Sequence, residues 1–488
     1  MSARTIIPRA ALEPVSNLFP VNLKQSASSL GSLVPSNRGM YGACQYECAM
    51  PKSDDLPENE VSGAVSIRAQ DPSEELIFGH CRRLFFPLWS YLNPLCPDGS
   101  ELCDVLVAFG DHILIISVKR VDFDPDAANA AVQAERWRKR AIEKSLRQAL
   151  GAKRFLIQQG RYEVRGRGMT STVVIDNIGA KRIHCISVSL GGKGWIPYGL
   201  GQENDKPEDF VHIFTEESLD TLLGELTTIN DFTRYLREKE EFFGRTTGLI
   251  IESELDLLAL YVRDNRKLPD WSGQDLVLLD GGHWRKLAKQ AEYKDRLLRD
   301  QVSELWDHIV AELVKSQLGN TYIAGTGKET LEPLLRQLAA EPRFNRRVLS
   351  KALIGLLQGD DIRARIAMSP DGELYVFMRV PRDEEQKGIF AELTARCHVA
   401  IGLLRDRLKV LRAVGVATQP IDGNPLRSHI AAMVSYPEWT PQRQSEMEKL
   451  QAGGLFKTPR IGSYVENEYR DMPKKSKLAP KAKKRKSK

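Results

Sequence analysis

The stretch Glu101–Lys119, ELCDVLVAFGDHILIISVK, constrains the fold more than any other part of the chain. Val105, Val107 and Phe109 alternate with Leu106 and Ala108, so this run is apolar on both faces. Ile113 to Ile116 form a second apolar run rich in β-branched residues, and Gly110-Asp111-His112 lies between the two as a turn. The pattern predicts a β-hairpin. Strands apolar on both faces belong at the centre of a sheet with helices on each side. Polar residues are confined to the strand ends: Glu101 and Asp104 before the first strand, Ser117 and Lys119 late in the second. Antiparallel pairing then makes Asp104 and Lys119 neighbours at one end of the sheet, open to solvent.

An acid opening one strand and a Lys closing the next resembles the PD-(D/E)xK, or restriction-endonuclease-like, nuclease superfamily. The resemblance covers roughly residues 70–195. It implies an α/β fold with a central mixed sheet flanked by helices, and a hard divalent cation, Mg²⁺ or Mn²⁺, held by carboxylates. In that pattern Asp104 matches the first acid and a metal ligand. Lys119 matches the Lys that orients the attacking water and stabilises charge on the phosphate. Gln148 matches a Gln that many members carry on the helix after the lysine strand. Ser117 stands where the second acid belongs, and a hydroxyl is a poor Mg²⁺ ligand. Either another carboxylate substitutes, with Glu75, Glu101 and Asp111 as candidates, or the site has lost its chemistry. The resemblance implies hydrolysis of phosphodiester bonds, of DNA first. The alternative is an inactive nuclease fold that binds nucleic acid or protein.

Several function classes fall away on composition. No run of 18 apolar residues is present, so no membrane partner is expected. The net charge of +6 is unevenly placed: residues 474–488 hold nine Lys/Arg and no acid, leaving 61 basic against 64 acidic side chains elsewhere. A broad basic surface is therefore excluded, and attraction to nucleic acid must come from local patches and the tail. Seven cysteines without a zinc or disulfide spacing suggest free thiols in a reducing, bacterial-type cytoplasm. The eight histidines are dispersed and read as buried or solvated structural residues.

Along the chain, residues 1–70 lack an apolar period and read as a disordered leader. Residues 71–245 read as the nuclease-like α/β domain. Its first helix runs from Ser73, the expected N-cap, to about Tyr91. A second long helix runs from Asp124 to about Gln158, interrupted near Gly151, with Trp137, Ala141, Ser145, Gln148 and Ala152 on one face. Arg136, Arg140, Lys144 and Arg147 lie on another face, suited to phosphates or simply to water. TVVIDNI and IHCISVSL add two strands, making about four, and FVHIF is a further short one. ELTTINDFTRYLREKEEFF, which closes the domain, is similar to a stretch seen after such cores in bacterial nuclease-like proteins. A mostly helical region, 246–360, includes one long helix from His283 to Val314. A small α+β unit, 361–435, has a hairpin at Pro370-Asp371-Gly372, and a flexible basic tail spans 436–488. Deleting residues 474–488 should flatten the salt dependence of binding to a labelled DNA duplex, because those charges displace counterions. An unchanged slope places the binding surface on the folded part, with the basic helix next in line.

Overall fold

In the computed structural model, the described residues are 71–124, 128–165, 173–192, 209–246, 249–274, 276–318, 328–359, 362–381, 386–421, 424–457 and 466–468. The leader and the nine-charge tail lie outside them. Helix α1, Pro72–Phe85, is capped by Asp71, whose Oδ1 accepts from Ser73 N at 2.8 Å. Ser73, the expected cap, is therefore the second residue of the helix, two positions beyond Asp71. The helix stops short of Tyr91 because Phe86 precedes Pro87, and the residue before a proline avoids the α region. Ser90–Leu92 is instead strand β1.

The expected hairpin forms. Strand β2, Val105–Phe109, pairs antiparallel with β3, His112–Phe123, in a register joining Val105 to Ile116 and Phe109 to His112. His112 thus belongs to the strand and not to the turn. Next come helix α2, Ala130–Trp137, a π-helical turn over Arg138–Glu143, and α3, Lys144–Gln159, in one continuous rod. The rod ends at Gly160, which takes a left-handed conformation that a glycine adopts without cost. Gly151 does not interrupt it; the irregularity lies at the π turn, which sequence reading did not anticipate. The face Trp137, Ala141, Ser145 and Ala152 is buried on the sheet.

Strands β4, Tyr162–Val164, and β5, Val173–Ile175, pair only with each other, so TVVIDNI does not join the central sheet. That sheet is completed by β6, Arg182–Gly192, and β7, Val211–Thr215, in the order β1-β2-β3-β6-β7. The β3–β6 and β6–β7 pairs are parallel and the rest antiparallel. The chain is thus mixed α/β with a central mixed sheet of five strands, flanked by helices. Leu106, Ile113, Ile115, Cys185 and Ile213 pack under α3. Val105, Val107, Leu114, Ile116 and Val188 pack on the other face, against α1, α4 (Glu216–Glu225) and α5 (Ile229–Arg245).

Beyond α5 a two-stranded parallel ribbon, β8 (Leu249–Ile251) with β9 (Val277–Leu279), brackets helix α6, Glu254–Arg263. The single helix expected over 283–314 is three: α7 (His283–Leu287), α8 (Ala291–Asp300) and α9 (Glu304–Leu318). A 3₁₀ turn separates the last two, with Ser303 Oγ donating to Asp300 O. Helices α10, Lys328–Ala339, and α11, Arg343–Leu357, follow. Four buried arginines pair with acids here, and two of them, Arg296 through Glu225 and Arg266 through Asp231, reach the first domain. Arg296 pairs with Glu225 and Asp300, Arg347 with Asp300, Arg346 with Asp307, and Arg266 with Asp231 and Glu468.

The last unit is a second sheet, β10 (Ala364–Met368), β11 (Leu374–Arg379), β12 (Arg412–Ile421) and β13 (Asn424–Ser435), in that spatial order. Helix α12, Gln386–Leu408, connects the parallel pair β11–β12. Part of the region expected as tail is helix α13, Pro441–Ala452, with Met447 buried on α12. A Cβ at Gly402 would stand 2.7 Å from Met447 Cγ, so a glycine lets the two helices meet.

Glu341 links α10–α11 to this unit. It is buried, and its oxygens accept from Tyr375 Oη and Asn345 Nδ2, each at 2.7 Å. Burial pushes its carboxyl up to about 7, against the opposing pull of those two hydrogen bonds. The folded state therefore holds a proton that the unfolded chain has released. The stability this contributes is complete below the ordinary carboxylate range and is lost as pH rises through about 7. Thermal melts should show a smaller fall in Tm between pH 5 and pH 8 for Glu341→Gln than for the unaltered chain. Equal falls would remove Glu341 from the pH response.

Candidate active site

Asp104 immediately precedes β2, and the hairpin register sets it across from Ser117. Ser117 and Lys119, two residues apart on β3, project to the same side, under α3. The α3 residue above them is Gln148. Four donors meet the Asp104 carboxylate: Gln148 Nε2 on Oδ1 at 3.0 Å, and Lys119 Nζ (3.0 Å), Ser117 Oγ (3.2 Å) and the Val118 backbone N–H on Oδ2. Ser117 Oγ also lies 3.0 Å from Gln148 Oε1, so its single proton serves one acceptor at a time. It accepts in turn from Ser145 Oγ at 2.8 Å.

The expectation of a site open to solvent fails at its centre. Asp104 is 1 % exposed and Ser117 is fully buried, while the Lys119 side chain keeps 22 % exposure. Solvent reaches the group from the side of Glu74 and Glu101. Asn93 Nδ2 donates to Glu74 Oε2 at 3.1 Å, and the Asn93 backbone N–H donates to Asp104 O at 2.9 Å. Partial burial raises the Glu74 carboxyl, with the Asn93 bond pulling the other way and the charge of Asp104 adding to the rise. Glu101 is pushed up to about 7, first by burial of its carboxyl, then by its hydrogen bond with Asp104 and the charges of Asp104 and Glu74. Glu101 thus keeps its proton up to near neutrality.

Sequence reasoning chose Glu75 over its neighbour Glu74, and the structure places Glu74 at the group. Glu75 is exposed and turned away from the group. The buried stripe of α1 is Ser73, Ile77, Cys81 and Leu84, whereas Leu76 is 43 % exposed, and Glu74, one turn before Ile77, lies at its edge. Asp111 is exposed in the hairpin turn, at the far end of β3, and takes no part. Arg136, Arg140, Lys144 and Arg147 are all exposed on the rod that carries Gln148, and none forms an ion pair with a described residue. Their neighbours Arg138 and Lys139 are spent on Glu135 and Glu143.

The donors at this end of the sheet are carboxylate oxygens, as a hard cation requires. Asp104 meets Gln148 through Oδ1 and Glu101 lies beside it, carrying a proton near neutrality that a cation can replace. The residues fit one Mg²⁺ held by one or two carboxylates with water completing its shell. No family model matches the chain, and no curated protein or solved structure matches it either.

The bonding makes Asp104 a structural as well as a chemical group. Asp104→Ala should cost about 3 kcal/mol, since it strands a backbone N–H, an amide and a lysine together. Ser117→Ala should cost about 1 kcal/mol, one hydroxyl's share. Urea unfolding measures both; equal midpoints for Asp104→Ala and the unaltered chain would contradict the bonding described.

Proposed function

We propose that the chain is a restriction-endonuclease-like protein that hydrolyses phosphodiester bonds of DNA with a divalent cation. The observation that carries this reading is the meeting of Asp104, Lys119 and Gln148 with Glu74 and Glu101 at one end of the central sheet. Asp104 and Glu101 would hold Mg²⁺ or Mn²⁺, with Glu74 beside them. Bound there, the cation lowers the pKa of a water and offsets charge on the phosphate. Lys119, bonded to Asp104 through Nζ and with its side chain 22 % exposed, would hold the attacking water and the phosphate oxygens. Gln148 and Ser117 position Asp104. The row Arg136, Arg140, Lys144 and Arg147 offers the DNA backbone a track along the same rod. Among the described residues no helix is long and apolar enough to cross a membrane.

A second reading has its own observation. Asp104 is nearly closed off, and Ser117, in the place of the second acid, is buried and bonded. This favours a nuclease fold that kept its DNA surface and lost cleavage. Cleavage of DNA and RNA by the purified chain, with Mg²⁺, Mn²⁺ or chelator, separates the two. On the first reading Lys119→Ala lowers turnover much more than DNA affinity. Ser117→Asp adds a second acid beside Asp104, so it should lose stability in chelator, recover it with Mg²⁺, and cleave at least as fast as the unaltered chain. Absence of cleavage with every divalent ion, together with DNA binding indifferent to Lys119→Ala, leaves the binding module.

A further inference from the structure

We propose that His184, His212 and Glu240 form a separate site for a zinc-class divalent ion, one that staples α5 to the central sheet. His184 lies on β6, His212 on β7 and Glu240 on α5. The site does not overlap the Asp104 group. Lys119 is level with Ser189 on β6, five residues beyond His184, which is about 16 Å along the strand. The two groups also lie on opposite faces: His184 and His212 face α5, in line with Ile186 and Phe214, while Lys119 faces α3.

The ligand atoms already converge. Glu240 Oε1 lies 2.6 Å from His184 Nδ1 and 3.0 Å from His212 Nε2. Among the described residues this is the one group of three whose ligand atoms all lie within 4.8 Å of one another. A tetrahedral ion with bonds of about 2.0–2.2 Å needs donors about 3.3–3.5 Å apart. The two short contacts therefore open by less than 1 Å, a small side-chain rotation.

The surroundings hold each ligand from behind, as the outer contacts of metal sites do. Arg182 grips the other Glu240 oxygen, Oε2, with Nη2 at 2.9 Å and Nε at 3.1 Å, leaving Oε1 to the imidazoles. His184 Nε2 meets His112 Nδ1 at 3.1 Å. His212 is wedged among the rings of Phe210 and Phe214, and its Nδ1 is buried without a partner, so Nε2 alone anchors its polar edge. Both imidazole side chains are fully buried; Glu240 is 18 % exposed and marks the opening.

Two imidazole nitrogens and one carboxylate oxygen form a borderline donor set. It suits Zn²⁺ and its neighbours and disfavours Mg²⁺ and Ca²⁺, which take oxygen. Three protein ligands leave a fourth position for water on the Glu240 side. Each imidazole binds as the neutral ring, its proton on the other nitrogen. For His184 that nitrogen points at His112, which accepts it.

The test uses the full chain, stripped with chelator and titrated with Co²⁺ and then Zn²⁺. The expected result, in excess Mg²⁺ to fill the carboxylate site, is one Co²⁺ per chain, with visible d–d absorption and without the intense ultraviolet thiolate band that the cysteines would produce. Zn²⁺ then displaces it and raises Tm. Glu240→Gln keeps hydrogen-bonding ability but loses the charged ligand, and should weaken Zn²⁺ binding at least about tenfold. The double variant His184→Asn, His212→Asn should abolish the rise in Tm, and Asp104→Asn should retain it. Should the double variant not fold, the Co²⁺ spectrum and Glu240→Gln decide. A chain that binds no Co²⁺, a spectrum dominated by thiolate, or affinity unchanged in Glu240→Gln each overturns the proposal.

Discussion

A buried carboxylate needs donors, and Asp104 draws them from both strands of the hairpin and from the helix above. Its two oxygens collect a backbone N–H, a hydroxyl, an amide and an ammonium. An unpaired charge at that depth would cost several kcal/mol. The requirement therefore locks the ends of β2 and β3 and the rotation of α3 about its own axis. Everything else at this end of the sheet follows from that lock. Ser117 is drawn inward, Lys119 is bent back over the strand, and Gln148 is pulled down from the helix. The same bonds that make the group rigid also close it to solvent, which is why stability and chemistry compete at Asp104.

The second constraint is electrostatic and lies among the helices. Arg266, Arg296, Arg346 and Arg347 are buried between α4, α5, α8, α9 and α11, each opposite one or more acids. Such pairs add little net stability over apolar packing, but removing one partner leaves a costly buried charge. They act as registers: each guanidinium fixes the segment that carries it against the acids it meets. The short segment Glu466–Glu468 joins the same network through Arg347, Lys351 and Arg266. This explains why the helical region is one piece with the first domain, although the sequence reads as two regions.

The central sheet carries opposite chemistry at its two ends. Carboxyl groups and one lysine gather where β2 begins and β3 runs on. Imidazoles gather near the starts of β6 and β7. The parallel β3–β6–β7 run keeps the two apart, with buried Ile115, Ile116, Ile186 and Val188 among the residues between them.

Alternating and continuous apolar runs are local properties, and they determined the hairpin, its central position and the flanking helices. Antiparallel geometry alone was enough to bring Asp104 beside Lys119, and helical spacing was enough to present Gln148 on the buried face. Helix ends depended on finer chemistry: Asp71 outcompeted Ser73 as the cap, and Phe86-Pro87 ended α1 early. The face that packs on the sheet, with Ser73, Ile77, Cys81 and Leu84 buried, decided between Glu74 and Glu75, which are about 100° apart around the helix. Pairing partners were not legible either. TVVIDNI has the composition of a sheet strand, yet its neighbour is β4, because strand composition does not name a partner. The histidines show the limit most plainly. His112, His184 and His212 are scattered along the chain, and only the parallel register of β3, β6 and β7, with Glu240 brought over by α5, sets them together. Local pattern determines which segments form elements, whereas the meeting of residues from distant segments is decided by strand order and helix packing, which exist only once the chain has folded.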